Sequence, residues 1–335
     1  MTEQKTSGSR RDLYRILPGI LISLAALAVI GVIVDWGDLF TALKGAEYKY
    51  LLLGLPIYIV SYGFRAQAWR ILLMEGASFR QVFLTMQAGY FLNNVLPFRL
   101  GELGRAFLLG RTGLGFWRVF STILIERAFD MILAAGLLLG TMSFVWGSSQ
   151  SQPLAFTVAA MVCLGLLVLH LLARYQDVVL RKFEAWSLRW PLLSRFGPER
   201  LGAFFNGLSA LVQLPRFMRV LFWMALSWAS AVYYYYILMQ AFDPGAKILW
   251  AGFGMAIASL GVALPSSPSY IGILEAAWIG ALALFGVPFS TALGFAIVAH
   301  MLHILISCVF GGYALAQEGQ TIGQLYAQIR KKRFE

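Results

Sequence analysis

Charge is scarce in this chain: only 13% of its residues are Asp, Glu, Lys or Arg, against about a quarter in an average globular domain. Cysteine is scarcer still. Cys163 and Cys308 each sit inside an apolar run, which excludes a disulfide framework and leaves no metal-ligand spacing. There is no D-x-D and no G-x-x-x-x-G-K-[ST], so an ATP-driven pump would need another subunit. The three histidines form no triad by spacing, since His170 stands alone near the end of a run. What fills the space is apolar. Hydrophobic residues make up 59% of the chain and mean hydropathy is +0.71, which excludes disorder, collagen-like repeats and an ordinary soluble enzyme.

One bilayer span needs about 20 apolar residues. Apolar runs lie at 16–36, 50–73, 119–145, 154–173, 217–241, 249–265, 268–287 and 290–316, with a less regular stretch at 81–112. The run ending at Trp36 is too long for a signal h-region, and no A-x-A site closes it, so it reads as a retained span. The pattern predicts an all-α polytopic membrane protein. Its parts are an N-terminal tail (1–15), a single transmembrane domain (16–316) and a C-terminal tail (317–335).

Lys and Arg outnumber Asp and Glu by 27 to 16. Because the basic residues sit between apolar runs, membrane topology accounts for them and nucleic acid does not. The N-terminal tail, the 174–216 segment and the C-terminal tail are all rich in Lys and Arg. The connection at 143–153 has none. Both tails and 174–216 are therefore expected in the cytoplasm. Within that segment, Val179, Phe183, Trp186 and Trp190 form one apolar stripe, and Leu201, Phe204, Phe205 and Leu208 another. Such stripes suit helices in the headgroup plane or packed on the ends of spans.

The two halves, 16–145 and 154–316, resemble one another. In the first, Leu96-Pro97 precedes Gly101-Glu102; in the second, Leu264-Pro265 and Pro268 precede Gly272 and Glu275. Arg127 and Asp130 follow Glu102 by 25 and 28 residues, and His300 and His303 follow Glu275 by the same intervals. With the second break entered from the opposite side, this is an inverted-topology repeat with two re-entrant segments. In such folds the substrate site lies near the midplane, at the paired broken helices. The N–H groups where each helix resumes would suit an anion.

Charged groups at membrane depth usually face a protein interior or a wet cavity. Arg65 and Arg70 lie in the run at 50–73, Arg99, Glu102 and Arg105 at the first break, and Glu126, Arg127 and Asp130 in the run at 119–145. Arginine presents planar, bidentate donors to phosphate. The expected head-group site is Asn93, Asn94, Arg99, Glu102, Arg105, Arg127 and Glu275. Coupling or gating is expected of Glu126, Asp130, His300 and His303, with histidine the group able to change charge near neutral pH.

The run Asn93-Asn94-Val95-Leu96-Pro97-Phe98-Arg99-Leu100-Gly101-Glu102-Leu103-Gly104-Arg105 resembles the signature of the lysylphosphatidylglycerol synthase transmembrane-region family of flippase-like proteins. Pro268-Ser269-Tyr270-Ile271-Gly272-Ile273-Leu274-Glu275 is similar to that family's Pro-Gly-Gly-x-Gly-x-x-Glu element, with Ser269-Tyr270 where two glycines are usual. The resemblance runs from about residue 12 to 316. It implies a helical bundle with re-entrant segments that moves lipids between leaflets.

The leading expectation is thus a flippase or transporter for an anionic phospholipid or a polyprenyl-phosphate lipid, with no metal or cofactor. The chain ends about twenty residues after its last span, so no aminoacyl transferase domain is expected and lipid aminoacylation by this chain alone is not. The rivals are an integral membrane enzyme of lipid or polyprenyl-phosphate metabolism, and a non-transporting partner of a separate synthase or glycosyltransferase. The topology is testable. Single cysteines at Ser7, Ser194 and Gln328, in a chain without Cys163 and Cys308, should resist an impermeant thiol reagent added to intact cells. Labelling of any of them from outside would overturn the orientation.

Overall fold

The computed structural model describes residues 28, 30–96, 100–146, 157, 160, 164–165, 167–168, 171, 174–187, 198–208, 212–262 and 268–317. Among them the regular elements are all helical. In chain order they are α1 (Trp36–Gly45), α2 (Lys49–Leu72), α3 (Phe79–Val95), α4 (Leu100–Leu109) and α5 (Phe116–Trp146), with a π-helical turn at Gly110–Leu114 between the last two. Then come α6 (Gln176–Ser187), α7 (Pro198–Leu208), α8 (Leu214–Met239), α9 (Ile248–Val262), a 3₁₀ turn (Pro268–Tyr270), α10 (Ile273–Ala283) and α11 (Phe289–Gln317).

Helices α8 and α11 are long and apolar enough to cross a bilayer. Helices α2 and α5 are longer than a minimal span but carry the buried charges described below. Helix α1 occupies the connection between the first two apolar runs, and capping rather than hydropathy accounts for it. The Asp35 carboxylate accepts the Gly37 N–H at 2.8 Å and the Asp38 N–H at 3.1 Å. Helix α3 begins with a reciprocal cap: Gln81 donates its N–H to Ser78 Oγ, and its side-chain carbonyl accepts the Ser78 N–H.

The irregular stretches of the sequence become two helical hairpins. Helix α3 turns back as α4 and packs on it, and α9 does the same with α10. Pro97, Arg99 and Pro265 lie outside the described residues. The returning arms have 10 and 11 residues, about 15 Å each, half the thickness of a hydrocarbon core. Glycine sets how closely the arms approach: a Cβ on Gly101 would lie 1.9 Å from the Gly89 carbonyl oxygen, and one on Gly254 would lie 2.2 Å from the Trp278 ring. Small residues at such seats let helix backbones touch in lipid, where apolar burial gives no net drive.

The packing crosses between the two ends of the chain. Helix α2 lies along α8, α3 along α11, and α5 along α9, while α3 also meets the Pro268–Tyr270 turn. The turn is strained. Ser269 and Tyr270 both have φ of 61°, in the left-handed region that favours glycine; such a conformation costs a side-chain-bearing residue roughly 1–2 kcal/mol. Two glycines would hold this turn without strain, and here a serine and a tyrosine hold it.

Of the two readings open for the 174–216 segment, α7 follows the second. It packs along α5, with Phe205 buried. A Cβ on Gly207 would lie 1.8 Å from Ser121 Oγ. Helix α6 rests against α7; Trp190, at the end of the first stripe, lies outside the described residues.

Candidate functional site

Glu126 has no accessible surface at all. It sits on α5, and three guanidiniums from three helices converge on it. Arg65 Nε on α2 donates at 2.7 Å, Arg105 Nη2 on α4 at 2.5 Å and Arg127 Nη2 at 3.1 Å. One turn along α5, Asp130 takes a second nitrogen of Arg65, Arg127 at 3.3 Å and the Trp228 indole N–H of α8 at 3.1 Å. Glu102 on α4 lies 3.9 Å from Arg127 Nε. Isolated charges in a low-dielectric interior are prohibitively costly, and pairing is what makes them tolerable. Here three cations face three carboxylates.

Arg105 also lies flat over the Trp69 ring, 4.0 Å from its centre, and is itself almost wholly buried. Its Nε and Nη1 have no hydrogen-bond partner among the described residues, nor has Arg127 Nε. Buried donors without acceptors are rare.

Arg65, Glu102, Arg105, Arg127, Asp130 and Trp228 line a cavity of about 420 Å³. Residues of α11 line it as well. His303 Nδ1 lies 2.7 Å from the Tyr58 hydroxyl and 3.0 Å from that of Tyr62, and the two hydroxyls are 2.6 Å apart. His300 Nδ1 is 2.6 Å from Glu275 Oε1, leaving Nε2 buried without a partner. Tyr90, Tyr235, Trp228 and Trp278 line the same space, and Tyr270 of the strained turn borders it.

The sequence-predicted residues divide accordingly. Asn93, Asn94, Glu102, Arg105, Arg127, Asp130, His300 and His303 all line the cavity. Glu126 lies beneath the arginines, and Glu275 stands behind His300. Of the matched intervals, the 25-residue one brings a pair together in each half, Glu102 with Arg127 at 3.9 Å and Glu275 with His300 at 2.6 Å. One expectation needs correction: the N–H groups just past the breaks are not all free for an anion. Gly101 N–H donates to Asn93 Oδ1 at 2.8 Å, and Gly272 N–H donates to Glu275 Oε2 at 2.7 Å. Asn93 and Glu275 therefore close the helix ends, and the unsatisfied donors belong to side chains. Asn94 likewise ties α3 to α11, through Ser307 at 2.5 Å.

Sequence reasoning placed Arg65 at depth but did not join it to Glu126 and Asp130, and it missed the tyrosines. The i, i+4 spacing of Tyr58 and Tyr62 on one face of a span was the available signal.

The family model of the lysylphosphatidylglycerol synthase transmembrane region matches residues 16–311. The chain belongs to this family. With α8 and α11 long and apolar enough to span, it is a membrane protein. A curated relative, glycosyltransferase AglD of Haloferax volcanii, is 30% identical over 129 residues. The match covers 36% of this chain and only 20% of that relative. No solved structure matches.

The ionic cluster makes a stability prediction. Glu126→Gln leaves three guanidiniums against two carboxylates, and breaking a buried pair from one side costs about 3–5 kcal/mol. Removing Arg105 as well, as Arg105→Met with Glu126→Gln, restores the balance and should recover much of the loss. Thermal unfolding in detergent reads both; an equal loss in single and double variants would mean that Arg105 does not depend on Glu126.

Proposed function

We propose that this protein moves a phosphate-bearing lipid between leaflets. The observation that carries the reading is the cavity where the two helix breaks meet, with guanidinium N–H groups of Arg105 and Arg127 left without acceptors. A lipid phosphate offers acceptors in the geometry that arginine fits best. On this reading Asn93, Asn94 and Glu102 complete the head-group site around Arg105 and Arg127, Arg99 is assigned to it by sequence alone, and Glu275 positions His300.

We read the two hairpins as re-entrant and the halves as an inverted repeat. Three observations support this: the short returning arms, the crossed packing of α3 with α11 and α5 with α9, and the equivalent contacts of Glu102 and Glu275. In this plan the hairpins gate a fixed central site, alternately from each side. The protein is then a multi-pass component of the cell membrane.

The test is exchange of a fluorescent short-chain phosphatidylglycerol across liposomes holding the purified protein. Arg105→Lys keeps the charge and loses the fork, and Arg127→Ala removes a mostly buried partner. Each should slow exchange about tenfold to a hundredfold, the worth of one charged hydrogen bond, with folding checked by gel filtration. Wild-type exchange in both would reduce the cluster to a structural role.

His300 and His303 give the same reading a proton-coupled form, with the pair changing charge as the gates exchange. The exchange rate should then vary with pH between about 5 and 8 and lose that dependence in His300→Gln/His303→Gln. A profile unchanged in the double variant makes both residues packing contacts.

A second reading is favoured by the glycosyltransferase relative: a membrane part that serves a glycosyl transfer reaction. Formation of a glycosylated lipid from a prenyl phosphate and a nucleotide sugar by the purified chain would establish it in place of transport.

A further inference from the structure

The anion reading leaves most of the cavity wall without a task. Its charges cancel: Arg65, Arg105 and Arg127 face Glu126, Asp130 and Glu102. A pocket with balanced fixed charge holds a ligand by hydrogen bonds and shape rather than by net attraction. What the wall still offers is of two kinds. One is a set of nitrogens without partners, Arg105 Nε and Nη1 and Arg127 Nε, together with His300 Nε2. The other is a group of aromatic residues along the lining, Tyr90, Tyr235, Trp228 and Trp278.

An ammonium head group fits this poorly. The three carboxylates of the ionic cluster lie within ion-pair distance of guanidiniums, so an amine would meet each of them beside an arginine of like charge. Ammonium also offers no acceptor to the free N–H groups. A hydroxyl does better, because it both donates and accepts. His300 shows why this matters. Its Nδ1 lies on the Glu275 carboxylate, and its buried Nε2 has no partner; a hydroxyl can meet that nitrogen whether it accepts or donates. A sugar ring carries hydroxyls at its edge and C–H groups on its face, which suits a pocket of nitrogens and aromatic rings.

We propose that the cavity takes a lipid phosphate whose head carries a sugar, the phosphate meeting Arg105 and Arg127 and the sugar lying among Tyr90, Tyr235 and His300. The proposal rests on the phosphate-lipid reading above and narrows it.

The test uses the full chain in nanodiscs and measures binding of four probes: farnesyl phosphate, farnesyl phosphoryl glucose, short-chain phosphatidylglycerol and short-chain phosphatidylethanolamine. The glycosylated probe should bind about tenfold tighter than farnesyl phosphate, the worth of a hydrogen bond or two with a ring contact. Tyr90→Leu and Tyr235→Leu should erase that preference while leaving farnesyl phosphate binding unchanged. Tyr90→Phe and Tyr235→Phe, which keep the ring and fold most like the parent, should retain most of it. Arg105→Lys should weaken both prenyl probes alike. Equal binding of the two prenyl probes, or tightest binding of either phospholipid, overturns the sugar while the phosphate site stands. Failure of all four probes to bind overturns both.

Discussion

Glu126 accepts from guanidiniums on α2, α4 and α5 while wholly removed from solvent. A carboxylate in that position cannot be left alone in a low-dielectric interior, and neither can its partners. The need to neutralise it fixes where α2 and α4 lie against α5. It also fixes the orientation of Arg105, which the Trp69 ring holds from the other side. Only after those demands are met do nitrogens remain over, and the cavity borders them. The site is thus what is left of an ionic network that first serves the fold.

The breaks obey the same accounting. A helix that begins away from water exposes backbone N–H groups that must find acceptors within the protein. Here Asn93 reaches forward to Gly101, and Glu275 reaches back to Gly272. Both residues look like ligand groups in the sequence because their polarity is conspicuous among apolar neighbours. Their first obligation is to the chain itself.

Much of this was legible in the sequence. Hydropathy located α2, α5, α8 and α11, and the Pro and Gly residues located both breaks. The equal intervals from Glu102 to Arg127 and from Glu275 to His300 were legible only as a repeat, and the structure sets each pair within 4 Å. What was hidden depends on which spans face one another. Arg65 lies 61 residues from Glu126 and Tyr58 lies 245 from His303, and no helical period carries such pairings. The tyrosines were hidden for a second reason: in an apolar span an aromatic ring suits a lipid contact, a core or a cavity equally well. Helix α1 rests on a cap formed by one aspartate, a signal that hydropathy does not register.

The crossed packing has a bearing on how the chain is made. Every member of the ionic network precedes residue 131, so its charges are all present once α5 has left the ribosome. The face of α3 that meets α11, with Asn94 directed at Ser307, has no cover until the final helix is synthesised. Chains are made and folded from the N-terminus onward. During synthesis of the 174–288 stretch, therefore, the ionic network can already be balanced while the early segment stays open along one side, and closure of that side waits on α11.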